Sequence, residues 1–181
     1  MKDGDLGVAC DWNVRRIRIG EGLRLRALRL HALAQAPAAF GSTLAREEKF
    51  GDEVWHKRAA DAAAGATSVT VIAEQADRWV GMASGLALEA DDVALMGPLI
   101  VGMFVDNGVR RLGIGNALVE SLQRWASANG HDRIHLWVVG SNASALALYR
   151  RCGFQASGAM RPLSHTPGLS ELHMLARLPR S

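Results

Sequence analysis

The sequence predicts an α/β domain of the α+β kind, a mixed, mostly antiparallel central sheet of about seven strands with helices on both faces. Three observations predict it. Residues 67 to 105 hold three apolar runs separated by turn signals, the pattern of an antiparallel meander. Ile114, Leu118, Leu122, Trp125 and Ala126 share one helical face while Glu120, Gln123 and Arg124 point away from it. Around these, the periodicity runs strand, two helices, three strands, then helix, strand, helix and two strands, an order that places helices on a sheet rather than beside one.

Taken in order, residues 1 to 12 read as a loose leader and residues 13 to 181 as one domain. Asn13 to Ile19 alternates imperfectly, as an edge strand does. Leu23, Ala27, Leu30, Leu33 and Ala34 recur at helical spacing until Pro37 stops them. After Phe40-Gly41, Ser42 or Thr43 can cap a second helix with Glu47 and Glu48 in its first turn, ending between Ala59 and Gly65. The meander strands are 69 to 74, 78 to 88 and 94 to 105, with Pro98 marking a bulge or an edge in the third. A helix from Ile114, a strand at Arg133 to Val139, a helix at Asn142 to Arg151, and strands at Phe154 to Met160 and Ser170 to Leu178 complete the chain.

Composition narrows the function. Of 181 residues, 49% are hydrophobic and 22% charged, with no apolar run long enough to span a bilayer. The polar, acidic start lacks the apolar segment of a signal peptide, so a cytoplasmic location is expected, without a membrane partner. Cys10 and Cys152 stand far apart, with no metal-ligand spacing, and are expected as free thiols; no metal is implied. Net charge is +3 and almost wholly arginine-based. Arg15, Arg16, Arg18, Arg24, Arg26 and Arg29 spread over a strand and a helix face, which argues for a solvated surface and against a nucleic-acid partner.

Met103 to Leu118 carries the chemistry: a strand, a loop with two arginines and two glycines, then the amphipathic helix. A strand that passes through glycines into a helix N-terminus can hold phosphate oxygens on unpaired backbone N–H groups. A Walker loop would need Gly-Lys-Ser/Thr, which is absent, and a dinucleotide fingerprint would need a small residue where Leu118 stands. Arg110-Arg111-Leu112-Gly113-Ile114-Gly115 instead resembles the acyl-CoA loop of the GNAT acetyltransferases, with Arg111 where many members have Gly. Asn142 to Phe154, with Tyr149 and Gly153-Phe154, is similar to that family's Asn-x-x-Ala-x-x-Leu-Tyr-x-x-x-Gly-Phe helix. Leu28 to Leu33 followed by Pro37 to Thr43 resembles the opening helix and loop of one bacterial branch.

The resemblance implies a V-shaped splay between strands 4 and 5 with acetyl-CoA in the cleft and no metal. Backbone groups of Phe104 and Val105 would meet the pantetheine and the acetyl carbonyl, and Arg110, Arg111, Leu112, Gly113, Ile114, Gly115 and Asn116 would surround the pyrophosphate. Tyr149, the single tyrosine, would protonate the departing thiolate; the competing reading is that it only packs. Asn142 is open to two roles, helix cap and cofactor contact. For a base, Glu74, Glu89, His135 and Glu171 lie on or beside strands, and the strand Leu99 to Val105 holds no carboxylate. Phe40, Ser42 and Trp137 are the candidate acceptor contacts. Glu47, Glu48, Asp52 and Glu53 read as a solvated face or as a lure for a cationic acceptor, and Trp12, Trp55, Trp79 and Trp125 as packing. The expected function is transfer of an acetyl group to a primary amine of a small molecule or peptide. Its rivals are a non-catalytic acyl-CoA sensor and an acetyltransferase for a protein N-terminus or an RNA-linked amine. A homodimer through the C-terminal strands is compatible with the pattern.

Overall fold

The computed structural model describes residues 11–87, 97–163 and 166–179. A seven-stranded sheet runs in the order β1-β2-β3-β4-β5-β7-β6: β1 (Trp12–Arg16), β2 (Ser68–Gln75), β3 (Arg78–Leu86), β4 (Leu99–Val105), β5 (Arg133–Val139), β6 (Gln155–Pro162) and β7 (Ser170–Arg177). Every pairing is antiparallel except β4 with β5. Helices α1 (Gly22–Gln35), α2 (Leu44–Glu47) and α3 (Asp52–Ala64) precede the meander, and α4 (Ile114–Ala128) and α5 (Ala143–Arg151) flank β5 in sequence. No helix of the described residues is long and apolar enough to cross a membrane. The leader's first ten residues, Cys10, Glu89 and residues 94 to 96 lie outside the described residues.

Alternation along the strands builds two apolar layers. Val69, Val71, Ala73, Val80 and Ala83 pack beneath α4 and α5, while Ile72 and Met82 face α1 and α3. Strand β4 breaks this rule usefully. Ile100 and Phe104 are four apart and should share a face, yet Ile100 joins the α4 layer and Phe104 the α1 layer. The register with β3 shifts between Met82 and Ser84, a bulge that inserts one residue and inverts the pattern. Gly102, at φ +64°, occupies the left-handed backbone the bulge needs.

Several boundaries differ from expectation. The first strand stops at Arg16, and Ile19 is 78% exposed beyond it. In α1 the buried stripe is Leu25, Leu28, Ala32 and Leu33, which shares only Leu33 with the expected series, because Gly22 lets the helix lie directly against the α3 backbone at Trp55 and His56. The long second helix is two pieces, Thr43 capping α2 through Oγ1 and Gly51 opening α3 in extended geometry. Pro98 lies just before β4, not within it; its carbonyl accepts from the His135 N–H at the vertex where β4 meets β5. The sixth strand starts and ends slightly later than expected, at Gln155 and Pro162.

A polar chain crosses the sheet at that vertex. Carbonyls only accept, so with both rings neutral His135 donates Nε2–H to the Gly97 oxygen, at 3.2 Å. His173 then donates Nε2–H to His135 Nδ1 at 3.1 Å, and Ser157 Oγ–H donates to His173 Nδ1 at 2.8 Å. Both rings are buried.

Candidate active site

Strands β4 and β5 pair at two positions only, Leu99 with His135 and Ile100 with Leu136, whereas β5 pairs with β7 along its full length. Beyond Ile100 the two neighbours separate, which leaves one edge of β4 open. A cleft of about 560 Å3 fills this gap, taking in Val101 to Met103, Trp137 to Val139, and Asn142, Ala145, Leu148 and Tyr149 of the α5 segment.

At the wide end of the V, β4 leads through a short 3₁₀ turn into the loop before α4. Asp106 Oδ1 accepts from the Gly108 N–H, and Arg110 Nε donates to the Val105 carbonyl at 3.0 Å, which ties the loop to the strand. Arg111 and Gly113 both have positive φ, +68° and +87°. No side chain caps α4 at Gly113, so the Ile114, Gly115 and Asn116 N–H groups head the helix without a capping side chain. This fits a pyrophosphate: an uncapped first turn, the positive end of a 15-residue helix, and arginines beside it. Gly115 also admits α5, since a Cβ there would stand 3.1 Å from Leu148 Cδ2.

The two backbone candidates differ in direction. The Asp106 N–H donates to the Val80 carbonyl on β3, so by alternation Phe104 also faces β3 and Val105 faces the open edge. The Phe104 side chain is buried in the α1 layer.

Tyr149 lines the cleft, 6% exposed, its ring against Phe154 at 5.8 Å between centroids. Its hydroxyl makes no hydrogen bond among the described residues. Burial, with a smaller contribution from Cys152, raises its pKa well above the usual phenol value, so the group keeps its proton at neutral pH. Asn142 caps α5, its Oδ1 accepting from the Ala145 N–H at 3.1 Å, and it also lines the cleft.

A second compartment of the same cleft lies under α1 and α3. Phe40 and Ser42 line it, and Trp137 contributes from the β5 side. Its centre was not foreseen. Glu47, 2% exposed, is buried rather than part of a solvated face. Arg29 grips it with Nη2 at 2.7 Å and Nε at 3.1 Å, and Arg58 approaches at 3.4 Å. Burial pushes the Glu47 carboxyl up, but hydrogen bonds from Arg29 and Ser42 and the charges of Arg29 and Arg58 outweigh it, leaving the pKa below its ordinary value. Arg29 reaches the bulge itself, with Nη1 3.4 Å from where a Gly102 Cβ would stand. The sequence signal available was Gly51, the residue that opens α3 and marks the break after α2.

The candidate bases fare differently. Glu74 is held by Arg15, Trp79 and Arg24, away from the cleft, and its pKa falls to about 2, chiefly through the Arg15 hydrogen bond. Glu171 lines the cleft but is bonded to Arg161 at 2.8 Å. His135 is engaged in the buried chain. Four arginines of β1 and α1 are ion-paired: Arg15 and Arg24 each with Glu21 and Glu74, Arg26 with Asp52, and Arg29 with Glu47. Trp55 and Trp125 are buried, and Trp79 lies between Arg15 and Arg24. Cys152 is a free thiol. Among the described residues no cluster could hold a metal ion.

Comparison with known proteins agrees with this geometry. The structure superposes on the acetyltransferase of GNAT family from Streptococcus pneumoniae with a TM-score of 0.77, at 17% identity, over 93% of this chain and 100% of that one. It superposes on a putative acetyltransferase from Salmonella typhimurium, solved with its cofactor acetyl-CoA, with a TM-score of 0.76, at 16% identity, over 94% and 96%. In sequence, the human protein N-acetyltransferase 8 is 29% identical over 112 residues, 61% of this chain and 49% of that protein, so the chain matches about half the length of that relative. The model of the acetyltransferase (GNAT) family matches residues 29–154, which include the second half of α1, the β4 edge, the glycine loop and the Tyr149 helix. The chain belongs to the GNAT acetyltransferase family.

Proposed function

We propose that the protein is an N-acetyltransferase that moves an acetyl group from acetyl-CoA to a primary amine by direct attack. One observation carries this reading: the open edge of β4 leads, through one short loop, to the uncapped N-terminus of α4. A pantetheine arm can therefore lie along backbone groups while its pyrophosphate meets the N–H groups of Ile114, Gly115 and Asn116, with Arg110, Arg111 and Leu112 around it.

In the reaction, the amine nitrogen bonds to the thioester carbon, the carbonyl oxygen takes up negative charge, and the C–S bond then breaks. Backbone N–H groups on the open edge, Val105 among them, stabilise that oxygen, an effect that reaches roughly 3–4 kcal/mol for one donor in other acyl-transfer enzymes. The Tyr149 hydroxyl gives its proton to the leaving thiolate and recovers one from solvent, where the amine's proton is released. An amine of pKa near 8 is neutral at pH 7 for about 1.4 kcal/mol, so the reading needs no dedicated base for such an acceptor. Residues 13 to 181 are proposed as one domain, to which Trp12, the first residue of β1, is joined by its pairing with Gln75. The eight exposed residues of edge strand β6 support pairing of two copies there.

The test is isothermal titration with acetyl-CoA followed by thiol release with a panel of amines. The expected result is binding together with amine-dependent release. In Gly115→Val, a side chain forced against Leu148 should abolish binding while circular dichroism stays native. Unchanged affinity in that variant would remove the loop assignment, and binding without release to any amine would favour the sensor.

A further inference from the structure

The acceptor compartment is electrically closed. Three guanidiniums and three carboxylates line the cleft, and among the described residues each has a counter-ion: Arg29 and Arg58 on Glu47, Arg161 on Glu171, and Asp61 on Lys57. Neither oxygen of Glu47 is spare, since Oε1 accepts from Arg29 Nη2 while Oε2 accepts from Arg29 Nε and Arg58 Nη1. On the sheet beneath, the Thr70 and Ser84 hydroxyls bond to each other at 2.8 Å. An arriving cation finds no unpaired carboxylate here, and an arriving anion no unpaired guanidinium. A charge taken out of water without a partner is costly. Beside these groups the wall under α1 and α3 is mainly apolar: Leu25, Phe40, Trp55, Ala62 and Met82 all border the cleft at 7% exposure or less. Such a wall is withdrawn from bulk water and favours an apolar guest.

We propose that the acceptor's amine is its only ionisable group, and that it is carried on an uncharged, apolar body which occupies the compartment between α3 and strands β2 and β3. The inference deepens the acetyltransferase reading and rests on it; the bonds made and broken are those given above. With the pantetheine laid along β4, the space under α1 and α3 is what remains of the cleft for the body of the acceptor. Leu25 reaches that space from α1, Ala62 from α3 and Met82 from β3. Glu47 and its two guanidiniums border it as a fixed ion cluster, and the carboxylate is spent within that cluster instead of drawing in a cation. Polyamines and aminoglycosides, which carry several cations, and amines that carry a carboxylate would each strand a charge in this space.

The test is thiol release from acetyl-CoA with α-amino carboxamides, whose amines titrate at about 8 and so differ little in reactivity. The neutral series runs from alaninamide through 2-aminobutanamide and norvalinamide to norleucinamide and 2-aminoheptanamide. Glutaminamide is set against the α-amide of glutamic acid, and argininamide supplies a cation. The expected kcat/KM rises about fourfold for each methylene the compartment takes in, as burial of a CH2 group gives. It falls at least about tenfold from glutaminamide to the acid and from norleucinamide to argininamide. Ala62→Leu, which fills the compartment, should flatten the series, and Leu25→Ala, which enlarges it, should raise the ratio of 2-aminoheptanamide to alaninamide turnover. Damage to the fold would instead lower every member by one factor. Acetyl-CoA titration should match the wild type in both variants. A flat wild-type series, charged amides turned over as well as their neutral partners, a series unaltered in both variants, or release to other amines but to none of these amides would each overturn the proposal. Failure to bind acetyl-CoA, or binding without release to any amine, would instead overturn the acetyltransferase reading beneath it.

Discussion

Replacing Tyr149 by Phe separates chemistry from packing, because the structure assigns the hydroxyl no partner to lose. The ring stays against Phe154, and only a hydroxyl without a partner among the described residues, on a cleft-lining residue, is removed. Such a change leaves stability within about 0.5 kcal/mol of the wild type. The cost should fall on turnover. A positioned acid is worth about 10²- to 10⁴-fold. A thiolate of pKa near 8.5 is a fairly good leaving group, which places the expected loss at the lower end, about 10²-fold in kcat or 2.7 kcal/mol.

A second readout tests the electrostatics. The folded pKa of Tyr149 is raised above its unfolded value near 10, so its contribution to stability is fully present below pH 10 and declines above it, by about 1.4 kcal/mol per pH unit. Urea unfolding at alkaline pH should show that extra decline in the wild type and not in Tyr149→Phe. With a single tyrosine in the chain, the phenolate absorbance reports this residue alone and should titrate above pH 10. A wild-type kcat in Tyr149→Phe would refute the acid role. A phenolate midpoint at the ordinary value would refute the burial argument.

Three further outcomes follow from other sites. Arg111 sits at φ +68°, where glycine is free of strain, so Arg111→Gly should stabilise the fold by about 1 kcal/mol in urea unfolding while weakening acetyl-CoA binding in a titration. Glu74 has its pKa lowered to about 2, so its contribution is present above the unfolded value of 4.5 and lost as pH falls towards 2; Glu74→Gln should be less stable at pH 7, with the gap to wild type narrowing along an acid titration followed by circular dichroism. Gly22→Ala places a Cβ 2.7 Å from the His56 backbone nitrogen and should lower stability by about 1–3 kcal/mol, seen as a reduced Tm.

The glycine-loop side of the cleft was legible because it depends on local patterns. Glycines at Gly113 and Gly115, the amphipathic α4 face and the Asn142 to Phe154 helix are each short-range signals, and all fall where expected. The acceptor side was not, because it is assembled from residues distant in sequence. Glu47 reads as a first-turn surface acid until Arg29 from α1 and Arg58 from α3 converge on it. The resemblance assigned backbone groups of both Phe104 and Val105 to the cleft, but the Asp106 bond to Val80 shows that the Phe104 backbone faces β3, and the bulge at Gly102 turns its side chain to the α1 layer. The Leu23 series of α1 was misplaced for a related reason. A helix with leucines on several faces has its buried stripe chosen by its neighbour, here by the close approach of α3 at Gly22.

The buried His135 chain has a mechanical consequence. The two halves of the sheet meet along two residue pairs, and His135 belongs to one of them, fastened further by its backbone bond to Pro98 and its ring bond to Gly97. Two arms joined at a short vertex behave as a pair of callipers, in which a small displacement at the pivot becomes a large change in gap at the tips. His173 and Ser157 anchor that pivot to the far edge of the sheet. A shift at that pivot would widen or narrow the gap between β4 and β5 through three side chains, none of which lines the cleft.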